Sequence, residues 1–274
     1  MDSETVKKEE TFHDGWAESI NIDEVMVDEF FESPLAPENR YILEKLGDIT
    51  GKSVLELGAG AGEASVYFAK KGALVTATDL SGGMLGVVGR LAEKHGVAVK
   101  TARCSADALP FADNSFDVVY AGNLLHHVDI KGALLEARRV LKDGGTFVSW
   151  DPLAHNPLIN VYRKIATKVR TSDEHPIKMK ELKIFKSVFG KDGVSFHTAW
   201  YHTNLIFLKM FLIERVDPNK ERYWKRIYTH RELYEKTYKR LEKIDNAFLK
   251  VFPFFKRFCW NIVIVCGKGE KNDG

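Results

Sequence analysis

The sequence predicts an α/β fold of the Rossmann-like kind, a seven-stranded, mostly parallel sheet with helices on both faces. Three observations carry that expectation. Between residues 48 and 151, short apolar runs alternate with stretches of helical length and periodicity. The first run leads into a glycine-rich loop, Gly58-Ala59-Gly60-Ala61-Gly62. The second run ends in an acid, Asp79, about 20 residues further on.

Taken in order, residues 1–47 read as an N-terminal helical cap. Phe12, Trp16 and Ile20, then Val25, Phe30 and Phe31, recur at helical spacing; Pro34 and Pro37 interrupt, and a helix resumes over Glu38–Leu46. Residues 48–151 form the core. Its strands are Lys52–Leu57, Ala73–Asp79, Val97–Cys104, Phe116–Ala121 and Gly145–Trp150, with helices over Glu63–Lys71, Gly83–His95 and Lys131–Leu141. Strands joined by helices of this length pair in parallel through right-handed crossovers. Residues 152–274 continue the same domain, with helices over Pro157–Val169 and Lys178–Phe189 and strands over Val194–Thr203 and Asn261–Cys266. Between those strands lies a basic, aromatic, helical insertion, about 204–258.

Composition narrows the class. The 274 residues are 45% hydrophobic and 28% charged, as in ordinary soluble domains. Net charge is +2, but residues 1–150 carry −9 and residues 151–274 carry +11 together with 19 aromatic rings. Three cysteines, Cys104, Cys259 and Cys266, form no CxxC pair, which points to a reducing, cytoplasmic setting without a disulfide framework. The N-terminus is too polar for a signal peptide, and the stretches Asn204–Phe211 and Trp260–Cys266 are too short to span a bilayer. No metal-ligand spacing occurs among the histidines and cysteines, so no metal is expected.

The glycine loop points to a nucleotide-like ligand. Glycines let the backbone turn sharply and let a ligand lie against it. A dinucleotide fingerprint wants a small third residue where this chain has Glu63, and a carboxylate there repels a pyrophosphate. S-adenosylmethionine has no phosphate and carries a sulfonium and an α-ammonium, which suit the nearby Glu56 and Asp79. Asp79 stands where a carboxylate accepts ribose hydroxyls, and Leu80 and Met84 follow closely enough to offer the adenine apolar contact.

The run Val54–Glu63, Asp79, the segment Ala108–Val119 and the sequence Asn123-Leu124-Leu125-His126-His127 together resemble the class I S-adenosylmethionine-dependent methyltransferases. The nearest likeness is to the ubiquinone/menaquinone-biosynthesis type, over roughly residues 40–151. The resemblance implies that Glu56, Gly58, Ala59 and Gly60 line the methionine and ribose portion, and that Asp79 holds the ribose hydroxyls. It places Ser105, Ala106 and Asp107 near the adenine and Asn123 beside the methionine moiety. Relatives usually carry an acid where this chain has Ser105, so either Ser105 with backbone groups or Asp107 meets the adenine amino group.

Methyl transfer from a sulfonium is an in-line displacement that positioning alone can accelerate, and a base is needed only where the acceptor loses a proton. His126, His127 and Asp151 fall at the strand ends and are the catalytic candidates, with structural packing as their alternative. His155, Arg163 and Arg170 follow the fifth strand, and Trp16 sits in the N-terminal cap; these four are the substrate candidates. The basic insertion suits either an aromatic pocket lid or an anionic membrane surface. Nucleic acid is disfavoured, because Asn123-Leu124-Leu125-His126 lacks the Pro-Pro-Tyr/Phe of amino-methylating nucleic-acid enzymes. The expected function is methylation of a small, hydrophobic or amphipathic acceptor, lipid- or quinone-like. The alternative is a catalytically inert S-adenosylmethionine-binding partner protein.

Overall fold

In the computed structural model, which describes residues 3–166 and 175–269, the apolar runs become seven strands. They are β1 (Ser53–Leu57), β2 (Leu74–Asp79), β3 (Val99–Arg103), β4 (Phe116–Gly122), β5 (Leu141–Pro152), β6 (Val194–Ala199) and β7 (Asn261–Gly267). Across the sheet they lie in the order β3-β2-β1-β4-β5-β7-β6, and only β7 runs antiparallel to its neighbours. The expected fold class is the observed one. Strand order reverses between β1 and β4, which opens a crevice at their carboxyl ends.

Alternate residues of each central strand feed opposite faces, and both faces are dry. Val54, Val118, Val148 and Val263 pack under α2 (Asp28–Glu32), α3 (Pro37–Leu46), α4 (Glu63–Lys70) and α5 (Gly82–Lys94). Leu55, Val119, Phe147 and Ile264 pack under α6 (Ile130–Val140) and α8 (Leu182–Phe189). Burial on both sides explains why the strands read as continuous apolar runs rather than as alternating ones.

Helix α1 (Ser3–Ser19) lies across the start of α5. Asp14 accepts hydrogen bonds from the Ser81 hydroxyl and from the Gly83 backbone N–H (3.0 Å), while Ala17 packs on Met84 and Val87. These bonds hold the Asp14 carboxyl below the usual carboxylate range. After β5, Asn156 caps α7 (Pro157–Ile165), accepting from the N–H groups of Leu158 and Ile159.

The stretch between β6 and β7 holds α9 (Leu205–Leu212), α10 (Tyr223–Thr229) and α11 (Arg231–Val251). Its apolar side chains turn inward: Ile206, Phe207, Met210, Tyr223, Ile227, Tyr234 and Tyr238 are buried with Trp200 and Leu35. The buried Asp245 of α11 ties down the turn that begins the insertion. It accepts from the backbone N–H groups of Tyr201 (3.1 Å), His202 (2.6 Å) and Thr203 (3.2 Å) and from the Thr203 hydroxyl (2.9 Å). Asp245→Ala strands these donors and is expected to cost about 2–4 kcal/mol of stability in urea denaturation, with Asp245→Asn costing less.

Candidate functional site

At the end of β1 the chain turns through Gly58 and Gly60, both with positive φ, +66° and +52°. A Cβ on Gly58 would come 2.6 Å from Leu124 Cδ1, so the loop packs against the segment after β4 only through glycine. A Cβ on Gly60 would meet nothing within 4 Å, which leaves that stretch of backbone open to a ligand. Asp79, at the end of β2, fixes the loop: its Oδ2 accepts from the Gly60 N–H (3.0 Å) and its Oδ1 from the Ser81 N–H (2.9 Å). Beside them Glu56 is buried and accepts a hydrogen bond from the Ser65 hydroxyl.

This loop forms one end of a cavity of about 410 Å³. The other end is walled by rings from the N-terminal segment and the insertion, among them Phe30, Trp200, Phe207, Tyr223, Tyr228 and Trp260. All five tryptophans of the sequence line this single cavity. Five carboxylic acids line it as well, Glu9, Glu38, Glu56, Glu63 and Asp79, against one arginine among the described lining residues, Arg222, stacked 4.4 Å from the centre of the Trp16 ring. Burial raises Glu38, Glu56, Glu63 and Asp79. Glu56 is pushed up to about 8, with Glu63 and Asp79 adding repulsion, and Glu38 to about 7. Asp79 and Glu63 are raised too, the first opposed by its backbone hydrogen bonds, the second by Arg222.

Between the two ends stands a histidine cluster. His126 and Asp151 are both buried, with His126 Nδ1 2.9 Å from Asp151 Oδ1. The His127 ring packs 4.2 Å from that of His126. One ring nitrogen each of His13 and His127 lies 3.5 Å from the buried Glu9 Oε2, so α1 closes over this part of the cavity.

The structure brings most of the sequence candidates to this one cavity. Glu56, Gly58, Ala59, Gly60, Asp79, Leu80, Ser105, Ala106, Asn123, His126, His127 and Trp16 all line it. Five others do not. Met84 is fully buried under α1, because the Ser81 cap turns it into the helix core. Asp107 accepts from the Ser105 hydroxyl and lies against the start of α6. Asp151 stands behind His126 rather than on the wall, His155 faces solvent before the Asn156 cap, and Arg163 on α7 stays outside the lining. Arg170 lies outside the described residues. Among the described residues no three His, Cys, Asp or Glu side chains are grouped to hold a metal.

Sequence reasoning missed Glu38 and Asn39, which line the cavity from the start of α3. A signal was present. Glu38, Ile42 and Leu46 recur every fourth residue on one buried stripe, and an acid on an apolar stripe is unusual.

The raised acids set the pH response of the ligand-free protein. Unfolded Glu38 and Glu56 titrate near 4.5, and folded they do so at about 7 and about 8, so between these limits the folded state binds more protons. Stability therefore falls as pH rises from 5 to 8.5, and Tm is expected to drop by roughly 5 °C or more in calorimetric scans. Glu56→Gln flattens that dependence; an unchanged slope refutes the assignment.

Comparison with known proteins agrees with this geometry. Residues 55–149 match the family model described as a methyltransferase domain. A sterol 24-C-methyltransferase of Gibberella zeae is 35% identical over 48% of this chain and 36% of that protein. A ubiquinone/menaquinone biosynthesis C-methyltransferase of Desulfotalea psychrophila is 37% identical over 45% of this chain and 52% of that protein. The chain thus spans about a third to a half of the length of these curated relatives. Among solved structures, phosphoethanolamine N-methyltransferase 2 of Haemonchus contortus, in complex with phosphomonomethylethanolamine and S-adenosylhomocysteine, shares the fold. It aligns with a TM-score of 0.58 and 22% identity over 85% of this chain and 52% of that one. The YcgJ protein of Bacillus subtilis does so at 0.53 and 20%, over 85% and 98%. Residues 55–149 thus match a methyltransferase domain, and the sheet they help to build has the fold of solved methyltransferases.

Proposed function

We propose that this chain transfers the methyl group of S-adenosylmethionine to a small, apolar or amphipathic acceptor. The observation that carries this reading is continuity. One cavity runs from the glycine loop and Asp79 to a chamber walled by aromatic rings. The sterol- and quinone-methylating relatives support an acceptor with an apolar body.

The residues suit the cofactor. Each Asp79 oxygen takes one backbone N–H and keeps a lone pair, so the carboxylate can accept two ribose hydroxyls. Gly60 leaves room for the ligand, Glu56 and Glu63 offer negative charge to a cationic one, and Leu80, Ser105 and Ala106 form the adenine side. Asn123 lies beside the glycine loop on the methionine side. When bound, S-adenosylmethionine supplies an electrophilic methyl on a cationic sulfur. On the acceptor side, His126 accepts a proton where the acceptor must lose one, and His127 and Trp16 contact the acceptor. Asp151 is a positioning residue, fixing the His126 ring through Nδ1. The rings and α1 keep water from the reacting groups.

Asp79→Ala is expected to weaken S-adenosylmethionine binding at least about 10-fold in calorimetry while leaving the fold intact by circular dichroism. Unchanged affinity overturns the cofactor assignment. Methyl-labelled S-adenosylmethionine, incubated with the protein and a cell extract and then partitioned, is expected to put label in the organic phase. Label confined to water-soluble molecules overturns the apolar acceptor, and label in neither phase, with cofactor bound, favours the inert binding protein.

A specific surface supports contact with an anionic membrane. Val251, Phe252 and Phe254 are exposed at the end of α11, flanked by Lys250, Lys256 and Arg257, with Arg257 stacked 4.2 Å from the Phe254 ring centre. Among the described residues no helix is long and apolar enough to cross a membrane. Co-sedimentation with phosphatidylserine vesicles at low salt is expected, and replacing Phe252 and Phe254 together with Asp abolishes it. No sedimentation of the unmodified protein removes the membrane reading.

A further inference from the structure

The acceptor end of the cavity contains two polar side chains that the methyl-transfer reading leaves unused. Glu38 and Asn39 open α3 and are 6% and 2% exposed. Glu38 accepts a hydrogen bond from Asn261 Nδ2 at the start of β7. Asn39 donates its amide N–H to the Phe30 carbonyl (2.7 Å), while its Oδ1 has no hydrogen-bond partner among the described residues. A carboxyl and an amide oxygen thus stand together in a wall rich in rings and aliphatic side chains.

Among the described residues no lining Lys or Arg at that end supplies a compensating positive charge. Arg222, the one Lys or Arg among the described lining residues, is stacked on Trp16 and acts electrostatically on Glu63. Arg40, next to Asn39, opposes the rise of Glu38, but it turns outward and is paired with Glu242. Other ionisable groups near Glu38 are the buried phenols of Tyr228 on α10 and Tyr238 on α11 and the Cys259 thiol, all neutral near pH 7. An anionic head group would meet a buried acid and the negative faces of the rings, and both oppose it. A cation meets the reverse. The ring faces attract it, and its charge draws the proton off a carboxyl that burial holds near neutral pH.

Building on the methyltransferase reading, we infer that the acceptor carries an organic ammonium head, seated on Glu38 and Asn39 among the rings of Trp200 and Tyr228. The rest of the chamber takes its apolar body. Glu38 is then a specificity determinant, selecting cations over alcohols and rejecting carboxylates.

The test uses four probes that share one chain and differ in the head: decyltrimethylammonium, decylamine, 1-decanol and decanoate. Binding to the full chain, saturated with S-adenosylhomocysteine at pH 8, is read by intrinsic fluorescence, since all five tryptophans face the cavity. Both cations are expected to bind at least about 10-fold tighter than decanol, with decanoate weakest. Glu38→Gln is expected to remove most of the cations' advantage and to leave decanol affinity unchanged. Decanol binding as tightly as the cations overturns the inference, as does a folded Glu38→Gln protein with full cation preference. The ranking on the unmodified protein decides the matter even if the variant does not fold. Calorimetry with S-adenosylmethionine on the same preparation separates the two readings. Loss of cofactor binding overturns the methyltransferase proposal, whereas cofactor binding without cation preference overturns only the ammonium head.

Discussion

Five carboxylic acids share one cavity with a single arginine among the described lining residues, and the rest of the molecule is arranged around that imbalance. Such a site is electrostatically unfinished without a ligand: burial raises four of its acids, and Glu63 and Asp79 push Glu56 up further. The sheet creates the opportunity by reversing strand order between β1 and β4, which leaves a crevice at the strand ends. The glycine loop keeps that crevice open, because side chains at Gly58 or Gly60 would have to adopt a left-handed backbone. Helix α1 and the insertion enclose it, and enclosure is what strengthens every charge inside.

The two ends of the cavity are built by different means. At the glycine-loop end the exposed groups are largely backbone and short side chains, anchored by the contacts of Asp79 with Gly60 and Ser81. At the aromatic end they are large rings, contributed by segments far apart in the chain, from Phe30 to Trp260. Rigid local turns suit a cofactor of one shape. A wall assembled from rings on several helices can be recut by substitution without disturbing the sheet.

Much of the first end was legible in the sequence, because strand, glycines, helix and acid follow one another within thirty residues and their chemistry is local. The second end was not. Glu38 reaches the cavity only because α3 packs beside β7, more than 200 residues later, and no local pattern encodes that meeting. The aromatic insertion was readable as composition, yet composition does not distinguish rings turned inward, such as Tyr223 and Phe207, from those left outside, such as Phe252 and Phe254. Met84 shows the opposite error. It is near Asp79 in sequence, but the Ser81 cap starts a helix that carries it into the core.

The placement of β7 has a consequence for how the chain reaches this structure. β7 lies between β5 and β6, and β6 touches no other strand. Some sixty residues of insertion separate β6 from that partner. During synthesis, at about 5–20 residues per second, β5 therefore waits for several seconds with an open hydrogen-bonding edge, and β6 waits with two. Bare edges of this kind are where chains pair with the wrong neighbour. The nascent protein is thus most exposed to aggregation, and most in need of chaperones, during the interval in which the aromatic wall of its cavity is being made.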